Sequence, residues 1–181
     1  MTVKTHKTAV VLIPPEEIWD PIQALRRRHD RQLRRWMPHI TLLYPFRPCA
    51  DLPDLCPALE KACATLRPFE VRLAELRYFH HEHERYTVWL APEPEETLVR
   101  LQESLWQLAP ECDDTRRFGR GFTPHLSLGQ VRGHLELMQL LEHLQDDWEP
   151  LTFTADAVNV IRRGDPPDDV FQVERTLPLG G

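Results

Sequence analysis

Two short runs carry the residue types that acid–base chemistry at phosphorus requires. Pro38-His39-Ile40-Thr41-Leu42 stands in the first half of the chain and Pro124-His125-Leu126-Ser127-Leu128 in the second. In an extended segment residues i and i+2 share a face. His39 and Thr41 therefore point one way while Ile40 and Leu42 point into a core, and His125 and Ser127 behave likewise. Imidazoles titrate near neutrality, so a pair can serve as base and acid, each typically contributing about 10²–10⁴-fold. Two hydroxyls can donate to the non-bridging oxygens of a phosphate held between them. In-line displacement at phosphorus needs that set: a base on the attacking side, an acid on the leaving side and donors around the equatorial oxygens. It requires no metal and no other cofactor. One isolated histidine of this kind is more often a satisfied core residue; matched histidines with matched hydroxyls point to chemistry.

The elements that must position these residues are legible from periodicity. Residues 8–13, 39–46, 85–91, 125–131 and 151–161 read as strands, as do the alternating Phe69, Val71 and Leu73, and 170–177 adds a last one after the GDPPDD turn. Asp20 then Pro21 suggests an N-cap and first helical residue. Helical faces follow at Leu55, Leu59, Ala62 and Leu66, at Leu98, Leu101, Leu105 and Leu108, and at Leu137, Leu140, Leu141 and Leu144. The order β-α-β-α-β thus occurs twice. An internal repeat over roughly 8–79 and 85–162 is expected to give an α+β fold, one bilobal domain spanning 1–181 with its two units packed around a pseudo-twofold cleft.

Composition sets the outer bounds. The chain has 181 residues, 41% hydrophobic and 28% charged, enough for a core without staples. Its 22 basic and 28 acidic residues give a net charge of −6, which argues against coating duplex DNA by bulk charge and leaves room for a small anionic ligand at a local basic site. The N-terminal apolar run stops at Pro14-Pro15, too short for a signal core, and no stretch is long enough to span a membrane. Cys49, Cys56, Cys63 and Cys112 form no CxxC pair and read as free thiols. A cytoplasmic monomer is expected, without a membrane partner.

The tetrapeptides His39-Ile40-Thr41-Leu42 and His125-Leu126-Ser127-Leu128 resemble the twin His-x-Thr/Ser-x motifs of the two-histidine (2H) phosphoesterase superfamily, the group of the bacterial 2′-5′ RNA ligases and RNA 2′,3′-cyclic phosphodiesterases. Their separation, the β/α alternation and flanks such as Tyr44-Pro45-Phe46 and Phe122-Thr123-Pro124 extend the resemblance over nearly the whole chain. It implies a bilobal α+β fold with a central cleft. It also implies metal-independent hydrolysis of cyclic phosphates or 2′,5′ linkages at RNA ends or in small nucleotides. His39 and His125 would be the acid/base pair, and Thr41 and Ser127 the phosphate donors. Many members of the RNA-ligase branch carry a basic residue where Gln130 stands here, a departure that favours a smaller or different substrate.

Arginines and aromatics precede each motif. Residues 26–35 hold six arginines against one Asp and lead into Trp36, and Arg116 to Phe122 precede the second motif. Arginine beside aromatics suits phosphate contact and base stacking; equally, Arg26 to Arg31 can be a solvated helix end that complements the helix dipole. Trp36, Tyr44, Phe46, Arg120, Phe122 and Gln130 are the candidate substrate-binding residues, with Tyr44 and Phe46 as readily core as cleft wall. The run His80-His81-Glu82-His83-Glu84 lacks the His-Glu-x-x-His spacing of a helical metal site and reads as a solvated hairpin tip. The expected activity is therefore a phosphodiesterase acting on RNA ends or small nucleotides. A non-catalytic module that binds nucleotides or RNA ends in the same cleft is the alternative.

Overall fold

In a computed structural model of the chain, residues 3–117 and 121–180 are described. The elements run β1 (Thr8–Leu12), α1 (Trp19–His29), β2 (Ile40–Leu43), α2 (Leu52–Cys63), β3 (Phe69–His81), β4 (Arg85–Glu93), α3 (Glu95–Trp106), β5 (Leu126–Arg132), α4 (His134–Asp147), β6 (Leu151–Ala155), β7 (Ala157–Arg162) and β8 (Gln172–Pro178). The expected double β-α-β-α-β order is present. Two details differ. Residues 151–161 are two strands broken at Asp156, one pairing with β3 and the other with β1 and β8. Helix α1 starts at Trp19 and has no side-chain cap, so Asp20 lies inside its first turn.

All strands join one antiparallel sheet in the order β6-β3-β4-β5-β2-β1-β7-β8. Its centre is the β5–β2 junction, where Ile40 faces Leu126. Each central strand is followed outward by three more, so β2 matches β5, β1 matches β4, β7 matches β3 and β8 matches β6. Strand β3 therefore completes the half built on β4 and β5, while β7 and β8 complete the half built on β1 and β2.

Alternation along the strands sorts the two faces. Val10, Leu12, Ile40, Leu42, Leu90 and Leu126 enter the main core, where helical stripes meet them: Leu98, Leu101 and Leu105 from α3, and Leu52, Cys56, Leu59 and Cys63 from α2. Leu59 of the expected face lies in this stripe, and Leu55, Ala62 and Leu66 pack half-buried against its margin. Ala9 and Val11 point the other way, into a small cluster with Ile161 and Phe171 bordered by Trp36, Met37 and Tyr44. That second, concave face carries the motif histidines.

Strand β5 is bulged. Val88 pairs with Gly129 but Trp89 pairs with Ser127, leaving Leu128 as an extra residue. Without the bulge Ser127 and Gln130 would face opposite sides. With it, Gln130 returns to the concave face opposite Thr87. The bulge also brings Gly129 against the end of α1: a Cβ there would lie 2.4 Å from the carbonyl carbon of His29. Only glycine lets helix and strand approach so closely.

Candidate active site

The two histidines are held in mirrored ways. His39 Nδ1–H donates to the Met37 carbonyl at 2.7 Å, and His125 Nδ1–H donates to the Thr123 carbonyl at 2.8 Å. A carbonyl accepts only from N–H, so each imidazole carries its proton on Nδ1 and keeps the Nε2 lone pair available. The antiparallel pairing of Ile40 with Leu126, continued one residue each way, sets His39 beside Ser127 and Thr41 beside His125. Each ring also has an aromatic seat. His39 stacks on Trp36 at 4.7 Å, and His125 meets Phe79 edge-on at 4.9 Å and Trp89 at 5.8 Å.

Burial dominates the electrostatics of both rings. It lowers the His39 pKa to about 4, partly opposed by the Met37 carbonyl and reinforced by Arg26 and by His125. Burial lowers His125 as well, with the Thr123 carbonyl acting against it. Both rings are neutral bases near pH 7 in the unliganded protein. An anion between them would favour the protonated form of one and so create an acid–base pair.

A cleft of about 520 Å³ opens over this junction. Its lining includes Thr41, Tyr44, His125, Ser127 and Gln130 from the expected site, together with Phe79, His81, Thr87, Thr115 and Thr123. His39, half-buried, immediately precedes β2, the strand that carries Thr41. Thr115 is fixed by donating to the Leu42 carbonyl at 3.1 Å. Thr87 was recoverable from alternation with Trp89 in β4. Phe79 and His81 were not, because a bulge at Ala74, between the pairs Leu73–Pro92 and Glu75–Ala91, shifts the parity that Phe69, Val71 and Leu73 set.

Other expected contacts fall elsewhere. Phe46 is fully buried in the main core and Phe122 nearly so, which corrects their reading as ligand contacts. Val11 pairs with Thr41 but Val10 with Leu43, so Leu42 is an extra residue in β2 and the alternation shifts there: Leu43 enters the core, Tyr44 faces the cleft, and Phe46, beyond the end of the strand, turns inward. Trp36 supports His39 and packs on Phe171 at 3.9 Å. Arg120 lies outside the described residues. His80 and His81 belong to β3 rather than to the hairpin tip, which is confined to residues 82–84. His80 stacks on Tyr86, and His81 Nε2 is hydrogen-bonded to Thr87 Oγ1 at 2.9 Å.

The arginines before the motifs are mostly structural. Buried Arg26 bonds Asp30 at 2.8 Å and donates to the Trp36 carbonyl at 2.8 Å, fixing the approach to His39. Arg34 and Arg35 both clasp the buried Asp169, whose carboxyl they hold down at about 2. Arg117 pairs with Asp113 and Asp114, and Arg116 bonds Gln102 and covers the ring of Trp106. Among the described residues no group of three or more His, Cys, Asp or Glu side chains is placed to hold a metal, and no helix is long and apolar enough to cross a membrane.

The family model described as the 2′-5′ RNA ligase superfamily matches residues 14–167. The chain belongs to that superfamily. A protein of Oceanobacillus iheyensis named as a presumptive phosphoesterase is 26% identical over 175 residues, covering 96% of this chain and 98% of the relative. One of Geobacillus kaustophilus, named likewise, is 27% identical over 129 residues, covering 68% and 69%. Among solved structures, TT0787 of Thermus thermophilus superposes with a TM-score of 0.65 at 22% identity, covering 97% of this chain and 98% of that one. E. coli LigT bound to 3′-AMP gives a TM-score of 0.62 at 15% identity, covering 99% and 100%. These two show the shared fold, a two-histidine phosphoesterase fold with one curled antiparallel sheet. Family and relatives together indicate phosphoesterase activity of the two-histidine type.

Proposed function

We propose that the chain is a metal-independent phosphodiesterase that hydrolyses 2′,3′-cyclic phosphates or 2′,5′-phosphodiester bonds at RNA ends or in small nucleotides. The observation that carries this reading is the mirrored pair of Nδ1-anchored imidazoles, each with a hydroxyl two residues on. In the cyclic case Nε2 of one imidazole takes a proton from water as its oxygen bonds to phosphorus. The other imidazole, protonated, gives its proton to the ribose oxygen as the P–O bond to that oxygen breaks. Thr41 and Ser127 donate to the two non-bridging oxygens as charge builds on them. One P–O bond forms and one breaks, and the two imidazoles exchange protonation states, to be reset through solvent. The E. coli LigT structure complexed with 3′-AMP supports a nucleotide-sized ligand here.

The test is an incubation, in excess EDTA, of a short RNA ending in a 2′,3′-cyclic phosphate, with products resolved by phosphate position. A 2′- or 3′-monophosphate is expected. In His39→Ala and His125→Ala the rate should fall by about 10²–10⁴-fold, and in Thr41→Ala or Ser127→Ala by about 10²-fold, with nucleotide affinity largely kept. Turnover that persists in both histidine variants, or that EDTA abolishes, overturns the mechanism. Binding without turnover by the wild type would leave a recognition module using the same cleft.

A further inference from the structure

The cleft continues past Gln130. A second cavity of about 340 Å³ shares His81, Thr87 and Gln130 with it and adds Arg31, Arg85 and Arg132. Strand register explains the join. Across β3, β4 and β5 the concave face is built in rows: Arg77–Trp89–Ser127, then Phe79–Thr87–Gln130, then His81–Arg85–Arg132. Outside the bulge, successive rows lie about 6.6–6.8 Å apart along the strands. The first row holds a catalytic hydroxyl, the second floors the cleft, and the third sets Arg85 directly opposite Arg132.

Like charges at directly opposite positions destabilise a sheet. Among the described residues no acid offsets the pair: none of Arg31, Arg85 and Arg132 is in an ion pair, and Arg85 Nε donates to the neutral Glu82 carbonyl at 3.2 Å. Four other arginines near the motifs, Arg26, Arg34, Arg35 and Arg117, each face an acid. Arg31 is anchored to the same place, because its backbone N–H donates to Gln130 Oε1 at 3.1 Å. A chain of net charge −6 thus gathers three unmatched guanidinium groups at one end of its cleft. Guanidinium forks match phosphate oxygens.

We propose that Arg31, Arg85 and Arg132 form a second phosphate site. It holds the phosphate on the 5′ side of the nucleoside whose 2′,3′-phosphate reacts, an inference that rests on the phosphodiesterase reading for the reacting group. Gln130 then does not mark a smaller substrate. The charge absent at that position is supplied one row further on, and the substrate carries at least two phosphates.

The experiment compares kcat/KM at fixed ionic strength for three substrates: adenosine 2′,3′-cyclic phosphate, the same nucleoside with a 5′-phosphate, and the dinucleotide ApA ending in a 2′,3′-cyclic phosphate. The wild type should favour the second and third over the first by about ten-fold. In Arg85→Gln/Arg132→Gln that ratio should fall toward one, without loss of thermal stability, since a repulsive pair has been removed. Preference for the dinucleotide over the 5′-phosphorylated mononucleotide would identify an internucleotide linkage as the natural occupant; the reverse would identify a free 5′-phosphate. Equal turnover of all three by the wild type overturns the second site and leaves the phosphodiesterase standing. Preference for the dinucleotide alone, undiminished in the variant, assigns the gain to the upstream base and also overturns it. If none is turned over, calorimetric binding of adenosine 3′-phosphate and adenosine 3′,5′-bisphosphate decides. Tighter bisphosphate binding that the variant loses keeps the site and removes the cyclic-phosphate activity, whereas equal binding removes both.

Discussion

His39 couples the site to the stability of the protein. Its pKa stands near 6.5 in the unfolded chain and at about 4 when folded. As pH falls below 6.5 the unfolded chain takes up a proton that the native ring refuses, so the stabilisation present above 6.5 is lost progressively down to about 4. The expected slope reaches about 1.4 kcal/mol per pH unit in that window. Urea midpoints measured at several pH values between 7 and 4 should show it, and His39→Gln should flatten it; an unchanged slope would mean that His39 does not titrate as its burial dictates. The pairing of each histidine with a hydroxyl was legible because it depends only on strand alternation, which any extended segment obeys. Which of Tyr44 and Phe46 would reach the cleft stayed open for the complementary reason: the extra residue at Leu42 breaks the alternation, and nothing in the apolar run marks it. Which arginines would be committed to acids was not legible at all. The acid that holds Arg34 and Arg35 is Asp169, 135 and 134 residues away.

The α1–β5 junction sets where the second motif points. The extra residue Leu128 and the missing side chain at Gly129 together aim Gln130 into the cleft and dock the end of α1. Gly129→Ala would drive a methyl group into the His29 carbonyl and push helix and strand apart. We expect a loss of about 1–3 kcal/mol and a fall in kcat, read by thermal unfolding and by turnover of a cyclic phosphate. A variant as stable and active as the wild type would show that the contact does not position the site. The order of elements was readable from apolar periods, since helices and buried strands write different spacings. Bulges and breaks were not. Leu128-Gly129 sits inside an apparently continuous strand, and Asp156 interrupts a run whose flanks both alternate cleanly.

Over the whole molecule, the loop between β7 and β8 is tied back to the approach of the first motif. Asp169 receives Arg34 and Arg35, the Phe171 N–H donates to the Arg35 carbonyl at 2.9 Å, and Phe171 packs on Trp36, the seat of His39. Asp169→Asn removes the charge that two guanidinium groups share. The loop should then be cut sooner by protease, and kcat should fall as the Trp36–His39 stack loosens; identical proteolysis and turnover would remove the clasp from the account. The exchange of strands between the halves has a consequence for biosynthesis. When β1 and β2 leave the ribosome, the strand that must cover the outer edge of β1 still lies far behind them, since β2 ends at Leu43 and β7 begins at Ala157. Until β7 emerges, that half of the sheet presents an apolar, hydrogen-bond-hungry edge, which is the condition for aggregation and chaperone capture. The first motif is thus among the early segments to be translated, yet it sits in a half of the sheet that only the late strands complete.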